Sequence, residues 1–212
     1  MVSRVTLRRR VQELLQTRDF PALVALAGQA DGVPPLLLQF LFNPQDLLYW
    51  RALEGLGEVA RGHPEQVKKV IGRLLWMLNE DSGSAGWGAA AALGEIARQA
   101  FPVVSDIIPM FCGFLEKPFS RGAMLWGLGR LAEVRPEALA EVLPCIRLCL
   151  KDQDPEVRGL GAWTLGMLRD QEAREDLEAL LKDEAPLTLY EQGELNRTTV
   201  AHLAREALAR LK

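Results

Sequence analysis

Hydrophobic positions recur along the middle of the chain with a period much longer than one helical turn. The pair Leu165-Gly166 is preceded by Leu128-Gly129, Leu93-Gly94 and Leu56-Gly57, at offsets of 37, 35 and 37 residues. Around each pair, apolar side chains follow the spacing of three and four residues that is typical of an amphipathic helix. A period of this length predicts an array of stacked helical repeats.

Each repeat is predicted to contain two helices, which we call A and B. The A helices are expected at about 45–60, 83–99, 119–134 and 154–169, and the B helices at about 64–78, 102–115, 136–150 and 171–182. A proline stands at the first three A-to-B turns, where it begins a new helix and cannot extend the previous one. The four repeats are therefore placed at about 43–78, 79–115, 116–151 and 152–183.

The two flanks differ from the repeats. Residues 1–42 contain short apolar helices and are predicted to form an N-terminal helical cap. Residues 184–212 predict a small β-hairpin with Gly193 in its turn, followed by an amphipathic helix capped by Thr198 or Thr199. Together these elements predict a single domain spanning residues 1–212.

The fourth repeat carries a family resemblance. The sequence Asp154-Pro155-Glu156-Val157-Arg158 is followed by small residues and then by Leu165-Gly166-Met167-Leu168. This pattern resembles a HEAT repeat, in particular the HEAT-like type named after phycobilisome lyases, over about residues 43–183. Arg158 has a counterpart in Arg121, whereas Tyr49 and Gly86 stand at that position in the earlier copies.

The resemblance implies an all-α fold, a right-handed α-α superhelix of the HEAT-like solenoid type, with the hairpin before its last helix. It does not name a function, because the family includes enzymes, enzyme partners and scaffolds.

Composition narrows the classes of function. Hydrophobic residues make up 49% of the chain, which is ample for a core, and the net charge of −3 disfavours a nucleic-acid binder. The apolar run at 36–41 is too short to span a bilayer. Three cysteines do not make a disulfide framework, so a reducing cytoplasm is expected. His63 and His202 lie far from Cys145 and Cys149 in sequence, and we predict neither a metal nor a cofactor.

Four of the five tryptophans fall at related positions of the A helices. Trp50 and Trp87 lie six residues before the repeated leucine, and Trp126 and Trp163 lie two before it. Positions four apart share one helix face, so we call this set the tryptophan stripe. In HEAT-like arrays the corresponding face resembles the inner, concave binding surface. The other residues expected around the stripe are Arg51, Glu54, Glu58, Glu95, Arg130 and Met167.

Two interpretations of the stripe are open. The indoles could fill the packing between helices, since tryptophan is mostly buried in proteins. They could instead anchor a partner, because exposed aromatic patches mark interaction sites. The shared register favours the second interpretation, which predicts a protein or peptide partner on the A-helix face.

The sequence contains no phosphate-binding loop, nucleophile elbow or paired-histidine motif. We therefore predict a non-catalytic scaffold or adaptor for protein interactions. One alternative is a subunit resembling a bilin lyase, as the family name suggests. Another is a HEAT-like DNA glycosylase, which the charge balance disfavours because phosphate contacts need clustered Lys and Arg.

Overall fold

The computed structural model describes residues 4–79 and 88–211. Within them, the chain forms twelve α-helices, several short 3-10 helices and one hairpin of two strands. The predicted all-α fold with a small hairpin is confirmed. The chain forms two compact units, Met1–Ser105 and Asp106–Lys212. The assignment of residues 1–212 to a single domain stays a prediction.

The described part of the first unit consists of six α-helices and is built around its fourth. Leu53 and Leu56 of that helix are buried, as are Leu15, Leu23 and Leu74 from the helices around it. Asp46 caps the fourth helix by accepting a hydrogen bond from the Leu48 amide. The helices are α1 (Arg4–Gln16), α2 (Phe20–Gln29), α3 (Val33–Leu37), α4 (Leu47–Gly62), α5 (Pro64–Asn79) and α6 (Ala89–Ala100).

The second unit contains six further α-helices and the hairpin. Its centre is α10 (Pro155–Leu168), which packs between α8 (Pro118–Ala132) and α12 (Val200–Arg210). The Thr164 hydroxyl of α10 donates to the Leu125 carbonyl of α8 at 2.9 Å. The elements are α7 (Phe111–Glu116), α8 (Pro118–Ala132), α9 (Leu143–Leu148), α10 (Pro155–Leu168), α11 (Arg174–Ala179), β1 (Pro186–Glu191), β2 (Glu194–Thr199) and α12 (Val200–Arg210).

The A helices are confirmed where the structure describes them. They correspond to α4, α6, α8 and α10, although the predicted start of the second, at residues 83–87, lies outside the described residues. The glycine after the repeated leucine permits close helix contact. A Cβ on Gly57 would lie 3.0 Å from the Glu95 carbonyl oxygen of α6, and one on Gly166 would lie 2.7 Å from Cα of Ala207 in α12.

Three of the four predicted B helices are not continuous α-helices; the last of them is divided between Gln171–Ala173, α11 and Leu180–Lys182. Only α5 is one unbroken α-helix, whereas the second B segment consists of 3-10 helices at Phe101–Val103 and Ser105–Met110 followed by α7. The third is divided between Pro136–Leu139, α9 and Cys149–Lys151. Pro109 and Pro144 lack the amide proton that an α-helix needs, which explains why the second and third segments are wound differently.

The hairpin and the last helix agree with the prediction. β1 and β2 pair antiparallel from Pro186 opposite Thr199 to Glu191 opposite Glu194. Gln192 and Gly193 form the two-residue turn with φ of 54° and 91°, as a type I′ turn requires. Thr199 caps α12 by accepting a hydrogen bond from the His202 amide. None of the helices within residues 4–79 and 88–211 combines the length and the apolarity needed to cross a membrane.

Candidate functional site

The tryptophan stripe is buried in the described chain. Trp50, Trp126 and Trp163 are all nearly or fully inaccessible to solvent, and Trp87 lies outside the described residues. The expectation that these indoles are exposed and bind a partner is therefore wrong for Trp50, Trp126 and Trp163. The second interpretation, packing between helices, is the one that applies to them.

The reason for the burial is local to each indole. The Nε1 of Trp50 donates to the Pro44 carbonyl at 2.9 Å, so this ring closes the turn before its own helix. The ring of Trp163 lies where a Cβ on Gly129 would be, only 2.0 Å from it, so the glycine of α8 makes the space that the indole fills. A repeated register can thus arise from packing alone.

Charged residues predicted beside the stripe in the first unit have partners inside the chain. Glu54 and Glu95 are buried, and each is neutralised by an arginine. Such pairs support packing and leave little free charge for a ligand. The contacts are Arg51 with the Leu15 and Gln16 carbonyls, Glu54 with Arg18 at 3.0 Å, Glu58 with Arg61 at 2.5 Å and with Gln99 at 2.8 Å, and Glu95 with Arg98 at 3.0 Å.

The same holds for the two residues predicted in the second unit. Arg130 lies 3.2 Å from Glu133 and stacks its guanidinium over the Trp126 ring, 5.6 Å from the ring centroid. The sulfur of Met167 accepts a hydrogen bond from Arg210 at 2.9 Å. A partner-binding role for the predicted residues that keep some exposure, Arg51, Glu58, Arg130 and Met167, stays a prediction.

The structure contains a disulfide that the sequence analysis missed. Cys112 of α7 and Cys145 of α9 are bonded across 33 residues, with their Cα atoms 5.7 Å apart. The expectation of no disulfide is therefore wrong. It relied on the odd number of cysteines, but three cysteines can form one bond and leave one free thiol, as they do here. Disulfides are typical of oxidising compartments, and the cytoplasmic location stays a prediction.

Cys149 lies beside this disulfide as a buried free thiol. Its sulfur donates to the Cys145 carbonyl at 3.4 Å. Burial raises the pKa of the Cys149 thiol to about 11, and this effect outweighs the lowering by Arg121. Because the thiolate is the reactive form of cysteine, this side chain is a poor nucleophile at neutral pH.

A cavity of about 280 Å³ opens next to the disulfide, and we call it the cystine pocket. Its most exposed apolar member is Leu148, of which 73% is accessible to solvent. The guanidinium of Arg121 donates to the Leu115 and Glu116 carbonyls and pairs with the Asp152 carboxylate, so it fixes one wall of the pocket. The lining residues are Cys112, Leu115, Glu116, Arg121, Cys145, Leu148, Cys149, Lys151 and Asp152.

The sequence held one usable signal for this surface. Leu148 does not belong to the apolar triplet of its B segment, which is Leu143, Ile146 and Leu150, so it falls outside the core pattern. Met110, at the start of the neighbouring helix α7, is also an exposed apolar residue. No group of three or more potential metal ligands occurs within residues 4–79 and 88–211.

Comparison with known proteins identifies the repeat. The HEAT-like repeat family model matches residues 118–168, which run from α8 to the end of α10. An uncharacterized protein of Archaeoglobus fulgidus is 27% identical over 175 residues, covering 82% of this chain and 94% of the relative. The matching model is the general HEAT-like repeat, and the phycobilisome-lyase type stays a prediction.

Solved structures support the same architecture. Two crystal structures of engineered proteins align with 99% of this chain at TM-scores of 0.57 and 0.53, covering 92% and 55% of their own lengths. Each is 19% identical, so the likeness concerns the fold alone. The match at residues 118–168 shows a HEAT-like repeat in this part of the chain, and the helical architecture around it is that of a repeat protein.

Proposed function

We propose that this chain is a non-catalytic scaffold that binds a protein partner at the cystine pocket. The observation that carries the proposal is Leu148, an aliphatic side chain that is 73% exposed at the mouth of an apolar cavity. Exposed apolar surface beside a concavity is characteristic of interaction sites. The HEAT-like repeat fold suits such a role, because stacked helices provide a preformed surface.

The pocket is held in shape before any partner arrives. The disulfide joins α7 to α9, and Arg121 links the end of α7 to Asp152 at the start of the next repeat. A preformed site loses less conformational entropy on binding than a flexible one. We infer that the partner inserts an apolar side chain between Leu115 and Leu148, while Glu116 and Lys151 at the rim orient it.

The proposal moves the binding surface away from the A-helix face predicted from the sequence. Binding through Trp50, Trp126 or Trp163 would require these side chains to leave the core, with a large loss of packing energy. Leu148 can be contacted without any rearrangement of the described helices. The protein-binding role is therefore kept, with a different surface.

The test introduces a negative charge at Leu148 on the proposed surface and, as a matched control, at an exposed aliphatic residue elsewhere. Val5 of α1 is also an exposed aliphatic residue, 79% accessible, and lies in the other compact unit. Immobilised wild type, Leu148→Glu and Val5→Glu are used to capture proteins from a lysate of the source cell, followed by quantitative mass spectrometry. We expect a partner enriched equally by wild type and Val5→Glu and lost with Leu148→Glu. Equal capture by all three would refute the proposed surface.

A further inference from the structure

We infer that β2 is a binding site for an extended peptide segment that carries an acidic side chain. This site shares no residue with the cystine pocket. It consists of the outer edge of β2 and a cavity of about 420 Å³ between the hairpin and α12. The peptide would add a third strand to the hairpin, a recognition mode in which main-chain hydrogen bonds supply the affinity.

The backbone of β2 has groups that no strand of the described chain satisfies. The sheet has two strands, so each strand has one unpaired edge. In a two-residue hairpin the residues next to the turn, Glu191 and Glu194, form the hydrogen-bonded pair, and the pattern then alternates. Leu195 and Arg197 therefore direct their amide and carbonyl groups away from β1. These are the groups that an added strand would pair with.

The cavity lies beside β2, between the hairpin and α12. Four consecutive residues of β2, at 196–199, line it, together with His202 and Arg205 of α12. Successive side chains of a strand point to opposite faces, so the cavity is in contact with residues of both faces of β2, and Leu189 and Glu191 of β1 line it as well. A peptide bound along β2 could thus place alternate side chains in this cavity.

Two polar groups in the cavity lack a partner in the described chain. The hydroxyl oxygen of Thr198 is buried and accepts or donates no hydrogen bond there. The guanidinium of Arg197 is exposed, and no ion pair to a described carboxylate is formed. A carboxylate on the peptide would satisfy the cation.

The other basic side chains that line the cavity each lie close to a carboxylate of the described chain. His202 lies 3.6 Å from Glu206, and Arg205 lies 4.0 Å from Glu184. Glu191 also lines the cavity and would repel an acidic group placed near the turn. The acidic side chain is therefore expected beside Arg197 and away from the turn. A peptide with glutamate at that place should bind more tightly than one with glutamine.

The experiment uses a defined probe and the full chain. The probe is a blocked, fluorescein-labelled peptide of alternating threonine and valine with one central glutamate, and its control has glutamine at that place. Binding is followed by fluorescence anisotropy, and hydrogen exchange of the wild type is measured by NMR with and without peptide. We expect the amides of Leu195 and Arg197 to become protected in the presence of the glutamate peptide.

Two proline variants separate the two edges of the hairpin. In Arg197→Pro the outward amide of β2 is lost, and we expect binding to weaken by about five-fold or more. In Thr188→Pro the outward amide of β1 is lost instead, and binding should be retained, because Thr188 is the residue opposite Arg197. Arg197→Gln should reduce the preference for glutamate over glutamine, which we expect to be roughly three-fold.

Several results would overturn the inference. One is the absence of protection at Leu195 and Arg197 with saturating peptide, and another is no binding of the peptide up to millimolar concentration. Unchanged binding in Arg197→Pro would exclude the β2 edge. A concentration-dependent dimer that Arg197→Pro abolishes, without peptide binding, would instead assign the edge to a second copy of this chain.

Discussion

The indole nitrogen of Trp126 donates a hydrogen bond to the main-chain carbonyl of Tyr190 at 2.9 Å, and both residues are buried. Their rings also approach each other, with centroids 6.2 Å apart. This contact ties α8 to strand β1, 64 residues further along the chain. A two-stranded hairpin is only marginally stable by itself, so we attribute much of its stability to this contact.

Replacing Trp126 should therefore destabilise the second unit. We expect Trp126→Ala to lower the free energy of unfolding by about 3–5 kcal/mol, because a large buried side chain is lost and the Tyr190 carbonyl loses its donor. Urea denaturation measures the change. Trp76→Ala is the matched control, since this indole is 58% exposed, and it should alter the stability by less than about 0.5 kcal/mol. Similar losses in the two variants would contradict the assignment.

The disulfide between Cys112 and Cys145 should stabilise the second unit. Closing a loop across 33 residues lowers the entropy of the unfolded chain and contributes about 3–4 kcal/mol. We expect the double variant Cys112→Ser and Cys145→Ser to melt at a lower temperature than the wild type under non-reducing conditions. Calorimetry with and without a reductant measures this difference.

The effect of a reductant on the wild type and on the double variant provides the control for the disulfide prediction. A reductant should lower the melting temperature of the wild type and leave that of the double variant unchanged. Thiol titration of the unfolded wild type without reductant should find Cys149 alone. Three titratable thiols in freshly purified protein would show that the bond does not form.

Two glycine substitutions should have opposite signs. A methyl group on Gly166 would lie 2.8 Å from Cβ of Ala207, so Gly166→Ala should force α10 and α12 apart and cost roughly 1–3 kcal/mol. Gly72 lies within α5 with no atom in reach of a Cβ. Gly72→Ala should therefore stabilise the first unit by about 0.5–1 kcal/mol, because alanine favours the helix. Denaturation of the two variants measures both effects, and a stabilising Gly166→Ala would disprove the close approach.

The thiol of Cys149 should make stability depend on pH in the alkaline range. Its pKa is raised to about 11 from 9.0 by burial, so the folded state retains a proton that the unfolded state loses above pH 9. The stabilisation is complete below pH 9 and is lost as pH rises through 11, by on the order of 2 kcal/mol. Comparing the wild type with Cys149→Ala between pH 8 and 10.5 isolates this contribution, because the alanine variant should lack this part of the slope.

Modification of Cys149 gives an independent check on the same pKa. Iodoacetamide at pH 7.5 should react slowly with the native protein and rapidly with the unfolded one, since the thiolate is the nucleophile. Rapid alkylation of the native protein would show that the thiol is more acidic or more accessible than the structure indicates.

The sequence by itself determined the helical repeat, the positions of the A helices and the hairpin. These features depend on local information: the period of Leu-Gly pairs, the caps at Asp154 and Thr199, and the glycine in a two-residue turn. Local signals of this kind act through the backbone of a few neighbouring residues, so they can be read without knowing the fold.

Only the tertiary structure decided what surrounds each side chain. Trp163 is buried because Gly129, 34 residues earlier, leaves room for its ring, and Cys112 meets Cys145 because α7 packs against α9. Periodicity places a side chain on one face of its own helix, but burial depends on which residues of other helices reach that face. The indoles therefore pack inside the fold, and Leu148, outside the core pattern, is exposed to solvent.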